Sequence, residues 1–324
     1  MSIVPGPVPP ASEAPLRVGT HSGSFHADEV FALATLRIAH GALEIVRSRD
    51  PKVLAECAMR IDVGRRYDPS TGDFDHHQGG VGERLNGVRY ASFGLIWQHV
   101  GVELAGSPEI AHRIDASIVT PIDAGDNGQE VYDPVIEGVT PFMVSGMIAG
   151  MNPPWDAENG AAAERKAFDE AVDIAEGIVR RELASAQARA RAADLVRAAL
   201  DASPDPRILE LDQGMPWKSI VVDEAPDVLF AISPRSRDWS LHAVPAASHG
   251  FANRLALPEA WAGLEGDELR AVTGVEDAVF CHAARFLAVA GSREGVLALA
   301  HKALATSVDT TASTASVSAD PVES

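Results

Sequence analysis

The residues best suited to chemistry begin with a dense cluster near the N-terminus. His21, His26, Asp28 and Glu29 fall within the ten-residue stretch THSGSFHADE. Imidazole and carboxylate groups are suitable ligands for first-row divalent metals. Acidic side chains are also favoured in the first turn of a helix, where they face the positive end of the helix dipole. The two acids therefore have a structural alternative, whereas the paired histidines favour a metal site.

A second group is the consecutive triplet Asp75-His76-His77. In a site with two metals, adjacent histidines can have different roles, because one can ligate a metal while the other donates to a phosphoryl oxygen. Asp75 would then orient an imidazole by a hydrogen bond to its ring, as carboxylates commonly do at metal centres. A polar surface loop is the alternative explanation of the triplet.

Further acidic positions could complete such a set. Asp62 follows the apolar run AMRI and precedes Val-Gly, and an acid at the end of a strand is suited to bridging two metals. Asp123 and Asp126 lie close together in IDAGDNG. Since Asp, Asn and Gly are the favoured turn residues, a polar turn is the alternative for each of these positions.

The surrounding pattern places these residues where a parallel α/β fold would collect them. The sequence predicts strands over residues 16–20, 43–46 and 58–62, and a helix over residues 28–40. Alternation of strand and helix is typical of a parallel sheet, in which functional groups gather at the carboxyl ends of the strands. His21 and Asp62 both fall at such ends.

The remainder of the chain predicts a second, smaller α+β domain. A one-sided apolar stripe over about 158–200 indicates either one helix that bridges two domains or two consecutive surface helices. Ser203-Pro204-Asp205-Pro206 then breaks the helix. Later segments read as four strands and two helices, over residues 207–212, 219–223, 228–233, 239–244, 258–273 and 291–304. We therefore predict a disordered tail at residues 1–15 and a metal-binding catalytic domain at residues 16–200 that ends in a helical linker. A substrate-binding domain at residues 204–306 and a second disordered tail at residues 307–324 follow.

Composition restricts the classes of function. The formal net charge of −19 repels a phosphate backbone, so the chain is a poor candidate for a general nucleic-acid coating protein. Bound divalent cations reverse the local sign of charge, and a phosphorylated substrate in a metal-lined cleft is therefore compatible with this composition. Cys57 and Cys281 indicate buried thiols in a reducing compartment rather than a disulfide framework. With no signal peptide and no long apolar run, we expect a cytoplasmic enzyme without a membrane partner, whose oligomeric state is left open.

Taken together, the motifs resemble the DHH phosphoesterase superfamily and, more narrowly, the MYG1 family. The resemblance covers about residues 17–305 and rests on the following segments: GTHSGSFHADE, DVGRRYDP, FDHHQ, SFGLIWQHVG, IDAGDNG, LHAVP, NRLALPEAWAGL, VFCHAARF and SREGVLALAHKAL. It implies an N-terminal parallel-sheet domain of the DHH type, a smaller α+β domain and a metal-dependent phosphoester hydrolase. More specifically, it implies a 3′–5′ exonuclease or phosphodiesterase that acts on RNA or short oligonucleotides.

The resemblance also implies the roles of individual residues around two divalent ions, most favourably Mn²⁺, with Mg²⁺ or Co²⁺ as substitutes. One ion would be held by His21, His26 and Asp62. The other would be held by Asp28, Asp62, His76 and Asp126, with Asp123 as the rival of Asp126. His77 would stabilise phosphoryl charge, and Asp75 would orient an imidazole. The second domain would contact the substrate through Lys218, Arg254, Arg285, His242 and His282.

The sequence leaves two alternatives open. The acidic composition also suits a small-molecule phosphatase or pyrophosphatase. A non-enzymatic binding protein could keep the same ligands for metal-stabilised folding.

His26 stands where many DHH phosphoesterases carry the first Asp of an Asp-x-Asp pair, so the expected ligand set carries less negative charge.

Overall fold

The structure, a computed structural model, describes residues 14–158 and 160–315. The chain divides into two compact units, Met1–Ala188 and Arg189–Ser324. Each unit has its own sheet and its own apolar core, so the predicted α/β class is confirmed. The final helix continues to Ala315, beyond the predicted start of the C-terminal tail. Residues 1–13 and 316–324 of the predicted tails lie outside the described residues.

The first unit is built on a five-stranded sheet of order β2-β1-β3-β5-β4. Its strands are β1 Leu16–Thr20, β2 Leu43–Arg47, β3 Met59–Ile61, β4 Tyr67–Asp68 and β5 Asp73–Phe74. The first four in this order are parallel, and only the edge strand β4 runs antiparallel to its neighbour. The predicted parallel sheet is therefore present, with one antiparallel strand added at its edge.

The helices of the first unit cover this sheet and carry most of its core. They are α1 Ala27–His40, α2 Pro51–Leu54, α3 Ser92–Ala105, α4 Pro108–Ile114, α5 Thr120–Asp126, α6 Val144–Ala149 and α7 Gly160–Ala202. Helix α1 is buried along most of its length and packs on α3, where the rings of Phe31 and Phe93 lie 5.4 Å apart. This packing fixes the N-termini of both helices beside the carboxyl ends of β1 and β3.

Helix α7 decides between the two explanations of the long apolar stripe. It is a single helix of 43 residues and continues through Gly177. Phe168, Val172 and Val179 on its apolar face are buried in the core of the first unit. Farther along, Val196 is buried in a cluster of the second unit. The stripe therefore belongs to one helix that contributes to both units, and not to two consecutive surface helices.

The second unit contains a mixed sheet of order β6-β7-β8-β10-β9. Strands β6 and β7 are parallel, whereas the remaining pairs are antiparallel. Its strands and remaining helices are β6 Ile208–Glu210, α8 Lys218–Glu224, β7 Phe230–Pro234, β8 Trp239–Ala243, α9 Gly266–Thr273, β9 Ala278–Cys281, β10 Leu287–Ala290 and α10 Arg293–Ala315. A strand predicted over residues 219–223 is wrong, because this segment forms α8. Strands β9 and β10 were not predicted.

The error at α8 has a physical cause. The run Ile220-Val221-Val222 has the β-branched composition of a strand. In the structure, the Arg254 guanidinium donates hydrogen bonds to the carbonyls of Val221, Val222 and Ala225 near the end of α8. A cation there satisfies carbonyl groups that have no partner within the helix. This contact from a distant residue overrides the local preference.

Cys57 and Cys281 are both buried free thiols, and they lie in different units. Within the part of the chain that the structure describes, no helix combines the length and apolar character needed to cross a membrane.

Candidate metal centre

The carboxyl ends of β1 and β3 bring His21 and Asp62 together. His21 Nε2 lies 3.3 Å from Asp62 Oδ2, and each residue is only 3% exposed. Asp62 has a φ of 57°, a left-handed conformation that is uncommon for residues other than glycine. Such a conformation costs on the order of 1–3 kcal/mol and tends to persist at functional sites. The backbone turn after β3 therefore holds the Asp62 carboxylate against the imidazole of His21.

The N-terminus of α1 supplies two buried carboxylates. Asp28 and Glu29 are both 0% exposed. Glu29 accepts hydrogen bonds from the backbone N–H of His26, at 2.9 and 3.0 Å, and lies 3.1 Å from His21 Nε2. Glu29 therefore caps the helix and contacts the cluster at the same time. Its spacing of three residues after His26 is the capping-box spacing, which was the available sequence signal.

The N-terminus of α3 holds two of the carboxylates in place. The Ser92 hydroxyl donates to Asp62 Oδ1 at 3.2 Å, and the Ser92 N–H donates to Asp28 Oδ2 at 3.2 Å. Both bonds also place negative charge at the positive end of a helix. Ser92 was not among the predicted site residues, because a serine at the start of a helix carries no distinctive signal in the sequence.

The Asp75-His76-His77 triplet follows β5 and completes the cluster. His76 Nε2 lies 3.3 Å from Asp62 Oδ1, 3.2 Å from Asp126 Oδ2 and 3.9 Å from Asp28 Oδ2. His77 Nδ1 lies 2.9 Å from Asp75 Oδ1 and 3.3 Å from Asp62 Oδ1. The buried Asp75 also accepts the backbone N–H of His77 at 2.8 Å, which fixes the loop around its carboxylate.

Three overlapping groups of side chains have ligand atoms within 4.8 Å of one another. They are the sets His21, His26, Glu29 and Asp62; Asp62, His76 and His77; and His26, Asp28 and Asp126. Asp62 belongs to two of these groups, and so does His26. Donors of this kind, mixed from imidazole and carboxylate, are compatible with divalent first-row metals.

The electrostatics of the cluster fit a bound cation. Burial alone would lower the pKa of His21 and His76, but neighbouring carboxylates raise both pKa values to about 10. Burial and the nearby Asp62 and Asp126 raise the pKa of Asp28 well above its usual range. Asp28 Oδ1 and His76 Nε2 are also buried without a well-formed hydrogen bond. Buried charges are tolerated when they are paired or when they coordinate metals, and a cation here would satisfy these atoms.

Asp123 and Asp126 lie on the same short helix, α5, but have different surroundings. Asp126 Oδ2 contacts His76 and belongs to one of the three donor groups. Asp123 is fully buried, lies 2.9 Å from Arg84 Nη1 and accepts the backbone N–H of Gly94 at 3.0 Å. Burial, partly offset by Arg84, raises the pKa of Asp123 to about 7. The structure thus places Asp126 in the cluster and Asp123 in a separate ion pair.

The sequence model of an uncharacterised protein family, UPF0160 or MYG1 exonuclease, matches residues 17–304. This chain belongs to the MYG1 family. The resemblance drawn from the sequence motifs is thereby confirmed at the level of the family.

Several curated relatives agree with this assignment along most of their length. A Bos taurus protein named MYG1 exonuclease is 31% identical over 330 residues, which cover 90% of this chain and 85% of the relative. The Homo sapiens protein of the same name is 32% identical over 335 residues, covering 90% and 86%. A Schizosaccharomyces pombe MYG1 protein is 32% identical over 319 residues, covering 89% and 97%.

The cluster of this MYG1-family chain borders a cleft of about 180 Å³. Its lining includes His21, Asp62 and His77, together with two arginines, Arg49 and Arg65, that were not predicted as site residues. Both arginines are exposed, and each follows shortly after a strand, β2 or β3, that ends at this edge of the sheet. In the sequence, the signal that could have identified these two arginines is a cationic residue shortly after a strand. The guanidinium groups provide positive charge beside an otherwise acidic cluster.

The predicted substrate contacts of the second unit have varied surroundings. Arg254 is engaged by backbone carbonyls at the end of α8, which argues for a structural role. His242 packs against Trp217, with ring centroids 6.1 Å apart, and burial together with nearby Lys218 lowers its pKa to about 4. Lys218 itself is exposed at the start of α8.

His282 and Arg285 lie in the turn between β9 and β10. His282 Nδ1 accepts the backbone N–H of Ala284, and its ring lies 4.5 Å from that of Phe286. Arg285 has a φ of 58° and donates to the carbonyl of Leu257 at 3.5 Å. Lys218, His242, His282 and Arg285 remain predictions as substrate contacts.

Proposed function

We propose that this chain is a metal-dependent phosphoester hydrolase that removes nucleotides from RNA or short oligonucleotides in the 3′–5′ direction. The observation that carries the proposal is the position of Asp62. Its carboxylate is shared by two groups of imidazole and carboxylate donors beside an open cleft. The names of the bovine and human relatives support the nuclease part of the proposal.

The described donors fit two divalent ions, and mixed nitrogen and oxygen ligands favour Mn²⁺. His21, His26 and Asp62 would hold one ion, with Glu29 close enough to assist. The second ion would be held by Asp28, Asp62, His76 and Asp126, as in the DHH-type arrangement. When bound, the ions would lower the pKa of a water molecule and stabilise charge on the attacking and leaving oxygens.

The side chains around the ions have separate tasks. Asp62 and Asp75 raise the pKa of His77, which favours its imidazolium form. In that form Nδ1 donates to Asp75 Oδ1 at 2.9 Å while Nε2 can donate to a phosphoryl oxygen. Arg49 and Arg65 line the cleft and can bind a phosphate by charge-assisted hydrogen bonds. Ser92, at the N-terminus of α3, fixes the orientation of the Asp28 and Asp62 carboxylates by hydrogen bonds. Phosphate binding thus depends on local cations despite the strongly negative net charge.

The test uses the full chain, stripped of metal with a chelator and then supplied with Mn²⁺, Mg²⁺ or Co²⁺. RNA labelled at its 5′ end is followed on a sequencing gel, beside an assay of pyrophosphate hydrolysis. We expect no reaction without metal and, with Mn²⁺, a ladder of 5′-labelled products that shortens progressively. Intact RNA together with rapid pyrophosphate hydrolysis would instead support the small-molecule phosphatase.

Matched variants connect this activity to the cluster. Asp62→Asn and His76→Ala are expected to abolish hydrolysis at saturating Mn²⁺. Asp133→Asn makes the same chemical change as the first variant at an exposed position outside the three donor groups, and it should remain active. Undiminished hydrolysis by Asp62→Asn would overturn the assignment of the cluster as the active site and would favour a binding protein.

A further inference from the structure

The first unit presents a large aromatic side chain to solvent beside a second pocket. Trp155 is 98% exposed and lies in the segment that connects α6 to α7. It borders a pocket of about 150 Å³ whose lining also includes Ser24, Asn152 and Glu164. This pocket shares no lining residue with the cleft beside the metal cluster. Tryptophan is enriched at interaction surfaces, because its large apolar ring also carries a polar N–H group.

The Trp155 segment is fastened to the loop that carries the two histidines. The Asn152 amide bonds both backbone groups of Phe25: it accepts the N–H at 2.9 Å and donates to the carbonyl at 2.9 Å. Glu164 accepts the backbone N–H of Gly23 at 3.1 Å. Both anchor points lie between His21 and His26. The pocket is therefore held in a fixed position relative to the metal cluster.

The pocket and the cleft adjoin one another along the loop that carries the two histidines. Ser24 lines the pocket, and His26, two residues later, lines the cleft. Two residues of extended chain span at most about 7 Å. A strand with duplex-like stacking advances about 3.4 Å per nucleotide along its axis. A base one or two nucleotides away from a phosphate in the cleft would therefore reach the pocket.

The chemistry of the pocket favours a base over a phosphate. Among its lining residues that the structure describes, Glu164 alone is charged, and it already pairs with Arg47 at 2.7 Å. The pocket thus has an aromatic face and an amide but offers no lining cation to a phosphate. Pro153 and Pro154 restrict the backbone just before Trp155, which lowers the entropy lost when the ring is immobilised.

We propose that Trp155 stacks on a nucleobase of the substrate, one or two nucleotides from the phosphate that occupies the cleft. This inference rests on the proposed function, because it assumes a nucleic-acid substrate. Stacking needs only the π-face that every base presents, so the contact would position the strand with little sequence preference. The metal cluster would thereby act on a strand whose register is set by an aromatic contact outside the cluster.

The test measures binding of a short, fluorescently labelled RNA with hydrolysis-resistant phosphorothioate linkages to the full chain in Mn²⁺, by fluorescence anisotropy. Trp155→Ala is compared with Trp155→Phe, which keeps a ring, and with Phe142→Ala. Phe142 is 85% exposed in the same unit and lines neither the pocket nor the cleft. A second RNA of equal length lacks the bases next to its 3′ end. Thermal unfolding of each variant verifies that the fold is intact.

We expect Trp155→Ala to raise the Kd about 5- to 20-fold, the lower part of the range found for base–aromatic stacking. Trp155→Phe should keep most of the affinity, and Phe142→Ala should match the wild type. With the abasic RNA, wild type and Trp155→Ala should bind equally, because the base that stacks is missing.

Equal binding of base-containing RNA by wild type and Trp155→Ala would overturn the proposal. An undiminished effect of Trp155→Ala on abasic RNA would also overturn it, since the tryptophan would then contact something other than a base. Failure of the wild type to bind RNA at all would contradict the stacking contact. By contrast, a wild-type chain that binds ordinary RNA but does not hydrolyse it contradicts the exonuclease function alone, because the binding comparison does not depend on turnover.

Discussion

Replacing Asp123 and Asp126 separately by asparagine should separate folding from metal binding. The two residues are three positions apart on α5, and the substitutions are chemically identical. Asp123 forms a buried ion pair with Arg84, whereas Asp126 contacts His76 within the metal cluster. We therefore expect Asp123→Asn to lower stability and Asp126→Asn to lower the response to Mn²⁺.

The magnitude for Asp123→Asn follows from the contacts that remain. Removing one partner of a buried pair costs about 3–5 kcal/mol when the other charge is left alone. Here Arg84 keeps a second partner, Asp115 at 2.8 Å, and the asparagine oxygen can still accept the N–H of Gly94. We therefore expect a loss of about 2 kcal/mol at pH 8, where Asp123 with a pKa of about 7 is mostly ionised. For a unit of this size the unfolding midpoint would fall by roughly 4–8 °C.

The magnitude for Asp126→Asn follows from linkage. A metal present at 100 times its Kd stabilises the folded wild type by about 2.7 kcal/mol. If loss of one carboxylate ligand weakens binding about 100-fold, the same concentration stabilises the variant by only about 0.4 kcal/mol. Without metal the variant loses the contact with His76 but also loses a negative charge next to Asp28, so its midpoint should lie close to that of the wild type. The part of the Mn²⁺-induced rise that comes from the ion held by Asp126 should thus almost vanish.

Calorimetric or fluorescence-monitored unfolding with and without Mn²⁺ measures both effects. Asp133→Asn, at an exposed position of the same unit, is the control and should show neither. An Asp126→Asn variant that keeps the full Mn²⁺-induced rise, together with an Asp123→Asn variant that loses it, would refute this assignment of the two residues. That result would make Asp123 the ligand and would mean that the Arg84 ion pair opens when metal binds.

Three further outcomes are expected. Gly94→Ala should destabilise the fold by about 1–3 kcal/mol or more, because a Cβ at this position would lie 1.9 Å from Asp123 Oδ2. Denaturant unfolding measures this loss, and an unchanged midpoint would show that the ion pair of Asp123 and Arg84 moves freely. His77→Ala should keep the Mn²⁺-induced stabilisation, because the side chain is 55% exposed and contributes little to folding. The same variant should reduce kcat about 10²–10³-fold, as loss of a donor to developing charge does. Full activity would exclude this role of His77. His242 has a folded-state pKa of about 4 and is held neutral, so its contribution to stability is complete above the unfolded value of about 6.5 and is lost as the pH falls toward 4. Between pH 7 and pH 4, the free energy of unfolding measured in urea should therefore fall by about 2 kcal/mol less for His242→Gln than for the wild type. An identical pH dependence of the two proteins would contradict the assignment.

Much of the site could be predicted because its residues follow local patterns. β1 and β3 are short apolar runs, and in a parallel sheet their carboxyl ends meet at one edge, so His21 and Asp62 could be expected together. The inference depends on the period of apolar residues and on chain direction, which neighbouring residues largely determine. The Asp75-His76-His77 triplet was joined to these two residues by the family resemblance, because no strand was predicted before it.

Other features were decided by contacts between residues far apart in sequence. Asp123 and Asp126 have similar neighbours in sequence, and the tertiary contacts of α5 place one beside Arg84 and the other beside His76. Residues 218–224 fold as α8 although their composition favours a strand. Arg254, which lies 33 positions after Val221, donates a hydrogen bond to the carbonyl of that residue near the end of the helix.

The sequence by itself therefore determined the first strands and helix of the sheet, the sheet edge at which chemistry is concentrated and the family. The tertiary structure decided which of two equivalent acids faces the metal cluster, and it placed Trp155 beside the loop of His21 and His26. The physical reason is that local propensities are summed over a few neighbouring residues, whereas the partner of a buried charge is chosen by the packing of the whole unit.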